Sequence, residues 1–139
     1  MDKSTTPLLN ELGQPIGAKV TGWKGAEFPS RKVMQGQFCS VEPLSLESHL
    51  DDLYDAFSED REGALWTYMM HGPFDSKQAF CGWLESACAT EDPFFCGIVD
   101  LSSAKALGMA SYLRLEPSVG GTELKQTVWV GLPAGECDT

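Results

Sequence analysis

The side chains with the most chemical potential crowd into one short stretch, Ala64 to Phe74, ALWTYMMHGPF. Trp66, Tyr68, Met69, Met70, His71 and Phe74 fall within it, and Gly72-Pro73 interrupts any regular element, so it reads as a loop of high apolar content. Such loops plug a core or line a pocket. His71 has the side chain of a general base near neutral pH, yet no partner for it is identifiable, and a packed or solvent-facing histidine is the plainer alternative. The carboxylates Glu47, Asp51, Asp52 and Asp55 sit at helical spacing and read as a solvated face rather than a metal site. Cys39, Cys81, Cys88, Cys96 and Cys137 are odd in number and lack a C-x-x-C pair. They imply neither a zinc site nor a disulfide framework, and point to a reducing compartment.

The elements that must position these residues are organised around Phe94 to Leu115. Phe94, Cys96 and Ile98 alternate with Phe95, Gly97 and Val99, and both sets are apolar. The returning arm places Leu107, Met109, Leu113 and Leu115 on one side and Gly108, Ala110 and Tyr112 on the other. A hairpin apolar on both faces belongs in the middle of a sheet covered by helices. The linking turn, Leu101 to Lys105, holds no catalytic constellation. Ahead of it, Leu46, Leu50, Leu53, Tyr54 and Phe57 form the stripe of an amphipathic helix capped by Ser45. A second helix is expected over Ser76 to Thr90, with Asp75 and Gln78 as a capping box and Phe80, Trp83, Leu84, Ala87 and Cys88 buried. Gln35 to Glu42 reads as a short strand ended by Pro43, and Thr122 to Val130 as one more strand.

Residues 1–33, punctuated by glycine and proline, are expected to form an irregular arm held by Trp23 and Phe28; 34–131 form the domain and 132–139 a tail. The fold class is therefore α+β, a mostly antiparallel central sheet of about four strands with two helices. At 139 residues and 42% hydrophobic content, one domain is the limit of what the chain can build. A formal charge of −10 disfavours nucleic acid and anionic lipid as partners, and permits a cationic or amine-bearing one. No leader and no run of about 20 apolar residues is present, so the reading is cytoplasmic, without a membrane span.

Several words in this order carry a resemblance. Asn10-Glu11-Leu12-Gly13-Gln14-Pro15-Ile16-Gly17 with Trp23, the strand QGQFCSVEPL, Trp66-Thr67-Tyr68 before Gly72-Pro73-Phe74, and Gly108-Met109-Ala110-Ser111-Tyr112-Leu113-Arg114-Leu115 resemble the N-terminal half of the GNAT superfamily of acyl-CoA-dependent N-acyltransferases. The branch is similar to ribosomal-protein N-acetyltransferases. The resemblance implies a mixed sheet with helices on both faces, acetyl-CoA as cosubstrate, and transfer of its acetyl group to an amine of a small molecule or peptide. It further implies Glu123 as catalytic base, Trp66, Tyr68, His71 and Tyr112 around the substrate, Leu124 and Thr127 on the cofactor, and no metal.

From Lys125 onward the family pattern stops. Gly131-Leu132-Pro133-Ala134-Gly135 stands where a phosphate loop would open a helix, and Pro133 argues against that helix. The expectation is a truncated domain, and three readings stay open: an acetyltransferase-family enzyme, a catalytically inactive module that binds a partner or dimerises through an exposed strand edge, or a small-molecule pocket protein that uses the Trp66 to Phe74 loop without acyl-CoA.

Overall fold

A computed structural model describes residues 6–129, with side chains through Thr122. Seven strands and two helices succeed one another as β1 (Leu8–Leu9), β2 (Pro15–Ile16), β3 (Met34–Gln35), β4 (Cys39–Pro43), α1 (Leu46–Ser58), α2 (Lys77–Ala89), β5 (Phe94–Asp100), β6 (Lys105–Glu116) and β7 (Gly121–Trp129). A 3-10 turn, Ala64–Trp66, lies between the helices. The class is α+β, as expected.

Strands β3-β4-β5-β6-β7 form one antiparallel sheet in sequence order. It has five strands rather than four because the stretch before Pro43 is itself a hairpin: Met34 pairs with Val41, and Gly36 N–H bonds Cys39 O at 2.8 Å. Pro43 closes β4 from within instead of ending it outside. A further small hairpin, β1–β2, occurs in the stretch expected to be wholly irregular; Asn10 Oδ1 accepts from the backbone N–H groups of Leu12 and Gln14 in its turn.

The central hairpin is β5–β6, in register from Phe94↔Tyr112 to Ile98↔Gly108. A register shift between Ile98 and Val99 leaves Leu107 as an extra residue, so Ala106 and Met109 are both buried where strict alternation would bury Leu107. The freed N–H of Ala106 is not wasted: Asp52 Oδ2 on α1 accepts it at 3.1 Å. Asp52 therefore ties helix to sheet and is not part of a purely solvated face.

Helix α1 begins where Ser45 accepts from Ser48 N–H, and it buries His49, Leu53, Ala56 and Phe57. Helix α2 is capped by Ser76, whose Oγ accepts from Ala79 N–H at 3.1 Å. The expected Asp75–Gln78 box is thus displaced by one residue, since a serine at the true N-cap position needs no longer acceptor. Phe80, Leu84 and Ala87 are buried, with Trp83 and Cys88 packed partly against them.

Both helices contribute to one core, which unites Leu53, Phe57, Trp66, Phe80, Leu84, Phe95, Ala106 and Met109. The opposite sheet face carries Val41, Cys96, Ile98 and Ala110, which with Met34 and Tyr112 line an apolar cavity of about 280 Å³. Helices were expected on both faces; among the described residues they cover one. Part of the arm crosses near the β6–β7 turn, where the Trp23 indole N–H bonds Ser118 O at 2.5 Å and Ala26 N–H bonds Pro117 O at 2.7 Å. Phe28 is more exposed, at the edge of a cavity with Phe94 and Leu115.

Candidate functional site

The loop between the helices is built on Trp66. Its indole is 5% exposed and meets Phe57 and Phe74 edge-on, each at 5.4 Å between centroids. Phe80 meets Phe57 edge-on at 5.9 Å and Phe74 at a tilt of 58° and 5.4 Å, so the four rings interlock, mostly by the edge-to-face geometry that aromatic quadrupoles favour. Gly72 is forced by this packing. Its φ is +75°, and a Cβ there would lie 2.5 Å from the Trp66 ring.

Asp60 holds the entry to the loop, accepting from Ala64 N–H at 3.1 Å and from Leu65 N–H at 2.9 Å. Those two amides start the 3-10 turn, so the carboxylate acts as its cap. Between the end of α1 and this loop lies an open cavity of about 320 Å³. Phe57, Trp66 and Phe80 floor it, Tyr54 and Phe74 wall it, and Asp60, Glu62, Asp75 and Arg61 stand around it.

The residues assigned around a substrate fall in different places. Trp66 lines this cavity from the core. Tyr68 is 98% exposed beyond it. His71 packs its ring on Trp83 at 5.4 Å. Tyr112 lies on the opposite sheet face, stacked on Phe94 at 6.2 Å with the Arg31 guanidinium 5.1 Å over the Phe94 ring. Trp66, Tyr68 and His71 thus share one loop, and Tyr112 does not join them.

Glu123, Leu124 and Thr127 lie on β7, where Glu123 is opposite Leu113 and Leu124 opposite Tyr112. Their side chains are outside the described set. Their strand, β7, packs beside the 3-10 turn that carries Trp66. Between the pairs Met109↔Val128 and Ser111↔Lys125 the register shifts, leaving Gln126 and Thr127 opposite Ala110 alone. Among the described residues β7 pairs only with β6, so it ends the sheet. The candidate phosphate loop, 131–135, lies outside the described residues.

One polar centre went unread in the sequence. His49 is 2% exposed; its Nδ1 accepts from Ser45 N–H at 3.0 Å, which puts the ring proton on Nε2, and Nε2 donates to Glu42 Oε2 at 3.0 Å. Ser40 Oγ donates to the other oxygen of Glu42 at 3.1 Å. Both ring nitrogens are committed and the ring lies under Gly97, so this dyad fastens α1 to β4 and has no free nitrogen to offer a substrate. The signal was available: positions 46, 49, 50 and 53 follow i, i+3, i+4, i+7, which sets His49 inside the apolar stripe.

Elsewhere, carboxylates satisfy backbone groups. Asp92 accepts from Arg114 and Leu115 N–H, each at 3.0 Å, and Asp100 Oδ2 accepts from Ser102 Oγ, Ser103 N–H and Ser103 Oγ. The hydrogen bonds of Ser102 and Ser103 hold the Asp100 carboxyl below the usual carboxylate range. Burial pushes the Cys96 and Cys88 thiols up. Among the described residues no group of three or more metal-binding side chains converges, and no helix is long and apolar enough to cross a membrane.

Among the described residues, a five-strand antiparallel sheet with two helices packed on one face makes an α+β architecture. Solved structures make that specific. A GCN5-related N-acetyltransferase from Brucella melitensis superposes with a TM-score of 0.77 over 84% of this chain and 52% of its own, at 27% identity. A probable acetyltransferase of the GNAT family from Chromobacterium violaceum does so with a TM-score of 0.73 over 94% of this chain and 61% of its own, at 25% identity. The chain has the GNAT superfamily fold, and it spans little more than half the length of these two structures. No protein-family profile matches the sequence, and no curated protein does.

Proposed function

We propose that this chain is an acyl-CoA-dependent N-acetyltransferase domain that transfers an acetyl group from acetyl-CoA to an amine. The observation that carries the reading is the superposition on a GCN5-related N-acetyltransferase over 84% of the chain.

Two features support a place for the amide-bearing arm of such a cosubstrate: among the described residues β7 is paired on one side only, and its register shift at Gln126 and Thr127 interrupts regular pairing there. Leu124 and Thr127 would hold that arm. When bound, acetyl-CoA supplies a thioester carbonyl open to attack. The chain's own task is to present a neutral amine, because an ammonium has no lone pair. Glu123 would take the first ammonium proton, directly or through water; the neutral amine nitrogen would then bond the carbonyl carbon, the carbon–sulfur bond would break, and the leaving thiolate would take the nitrogen's second proton. A backbone N–H of β7 polarises the carbonyl oxygen. Trp66 and its loop, packed beside β7, shield the amine from water.

The test is thermal. Acetyl-CoA at millimolar concentration should raise Tm by mass action on the native state, and no shift would remove the cosubstrate site. If turnover is found, Glu123→Gln should lower it and move its pH profile; an unaltered rate removes Glu123 from the mechanism.

A second reading is a catalytically inactive module that pairs with itself. One observation favours it: β7 has nine residues and is partnered on one side only among the described residues, which suits edge-to-edge pairing. A dimer in sizing chromatography without any acetyl-CoA shift would select this reading over the first.

A further inference from the structure

We infer that the cavity between the end of α1 and the Asp60–Asp75 loop is a binding site for an organic ammonium ion with an apolar body. The inference deepens the amine reading above, and rests on it only for the role of the cavity as an acceptor site; cation binding itself needs no cosubstrate.

The floor is apolar and fixed. Phe57, Trp66 and Phe80 are buried in the core and interlock with Phe74, so the cavity does not collapse when empty. At about 320 Å³ it suits a ligand of roughly ten heavy atoms, at the small end of ligand pockets. The rim carries three carboxylates, Asp60, Glu62 and Asp75, and one guanidinium, Arg61, so its balance is negative. Asp60 is already committed to the amides of Ala64 and Leu65, which leaves Glu62 and Asp75 to meet a ligand's charge. With Glu62 and Asp75 set against one guanidinium, the rim favours a cation over an anion.

The molecule already uses the same chemistry next door. Lys77 Nζ stands 5.8 Å over the Tyr54 ring while bonding Asp51 at 2.6 Å, an ammonium held between an aromatic face and a carboxylate. Tyr54 also walls the cavity, so its ring belongs to a surface on which a cation is stable. The bond to Asp51 raises the Lys77 pKa, the direction expected where the charged form is preferred.

The experiment compares three probes of one shape on the full chain without acetyl-CoA: 3-phenylpropylammonium, 3-phenylpropan-1-ol and 3-phenylpropanoate. Calorimetric titration should show saturable binding of the cation, at least about tenfold tighter than the alcohol, and none of the carboxylate. The Trp66 indole N–H and the amides of Ala64 and Leu65 should shift together in NMR spectra. Glu62→Gln with Asp75→Asn should weaken the cation about fivefold or more, leave the alcohol's affinity alone and leave Tm unchanged.

Equal affinity for cation and alcohol, an unaltered affinity in the double variant, or shifts that miss Trp66 would each overturn the inference. Absence of binding by any probe would do so too. The acetyl-CoA thermal shift is read separately, so a cosubstrate response without cation binding sinks this site and spares the transferase reading, and the reverse pattern does the opposite.

Discussion

His49 shows how one buried side chain can fix the relation of two elements. Its ring is held at both nitrogens, so it cannot yield when a neighbour grows. A Cβ on Gly97 would come within 3.0 Å of Nδ1 and 3.1 Å of Cε1. Gly97→Ala should therefore cost about 1–3 kcal/mol as an overpacked site. His49→Ala should cost about 2–4 kcal/mol, because it opens a cavity and strips the Ser45 amide of its acceptor. The two penalties should not add: with the ring gone the methyl group introduced by Gly97→Ala has room, and a double-mutant cycle by urea denaturation should show coupling above about 0.5 kcal/mol. Strict additivity would mean that the ring gives way. Asp100 provides a pH test at the same scale. Since folding lowers its pKa, the bound serine hydroxyls stabilise the ionised form, and that contribution is present above the ordinary carboxylate pKa and fades as pH falls through the folded value. Asp100→Asn should flatten the acid limb of stability against pH, measured by urea midpoints from about pH 5 downward; an identical limb removes Asp100 from the acid response.

At the scale of the element, the turn joining β5 to β6 carries a local strain. Ala104 has φ +57°, a conformation in which an L side chain crowds its own carbonyl. Ala104→Gly should raise stability by up to about 1 kcal/mol, with a higher Tm; a lower Tm would mean that the glycine's extra freedom in the unfolded chain outweighs the relief. Strand and helix identity were legible because the signals are local: Ser45 before a 3.6-residue stripe, and a doubly apolar hairpin from Phe94 to Leu115. What escaped was set by contacts distant in sequence. Strict alternation sets Leu107 on the same face as Met109, because nothing local announces the register shift that buries Ala106, and that shift is stabilised by Asp52, far along the chain. The cap of α2 slipped by one because Asp75 and Ser76 are both good caps, and only the path of the loop chooses between them. Loop residues of the candidate site were found as a group from their composition. Asp60, Glu62 and Asp75 were not, since a carboxylate near a cavity looks the same in sequence as one in open water.

At the scale of the whole molecule, the charge of −10 acts on both proposals, and in opposite directions. A second copy brings another −10 toward the first, so association through β7 must work against a repulsion that the strand edge cannot locally cancel. Raising the ionic strength from about 20 mM to about 500 mM shortens the screening length from roughly 20 Å to roughly 4 Å and removes most of that repulsion. The dimer fraction in sedimentation velocity should then rise with salt. The cation site responds the other way, because the attraction of Glu62 and Asp75 for an ammonium is screened along with everything else; its affinity should fall over the same range while the neutral alcohol's does not. A dimer that dissociates on adding salt would mean that complementary charges hold it, not a strand edge. A cation affinity indifferent to salt would place the probe away from the carboxylate rim, against the aromatic floor alone.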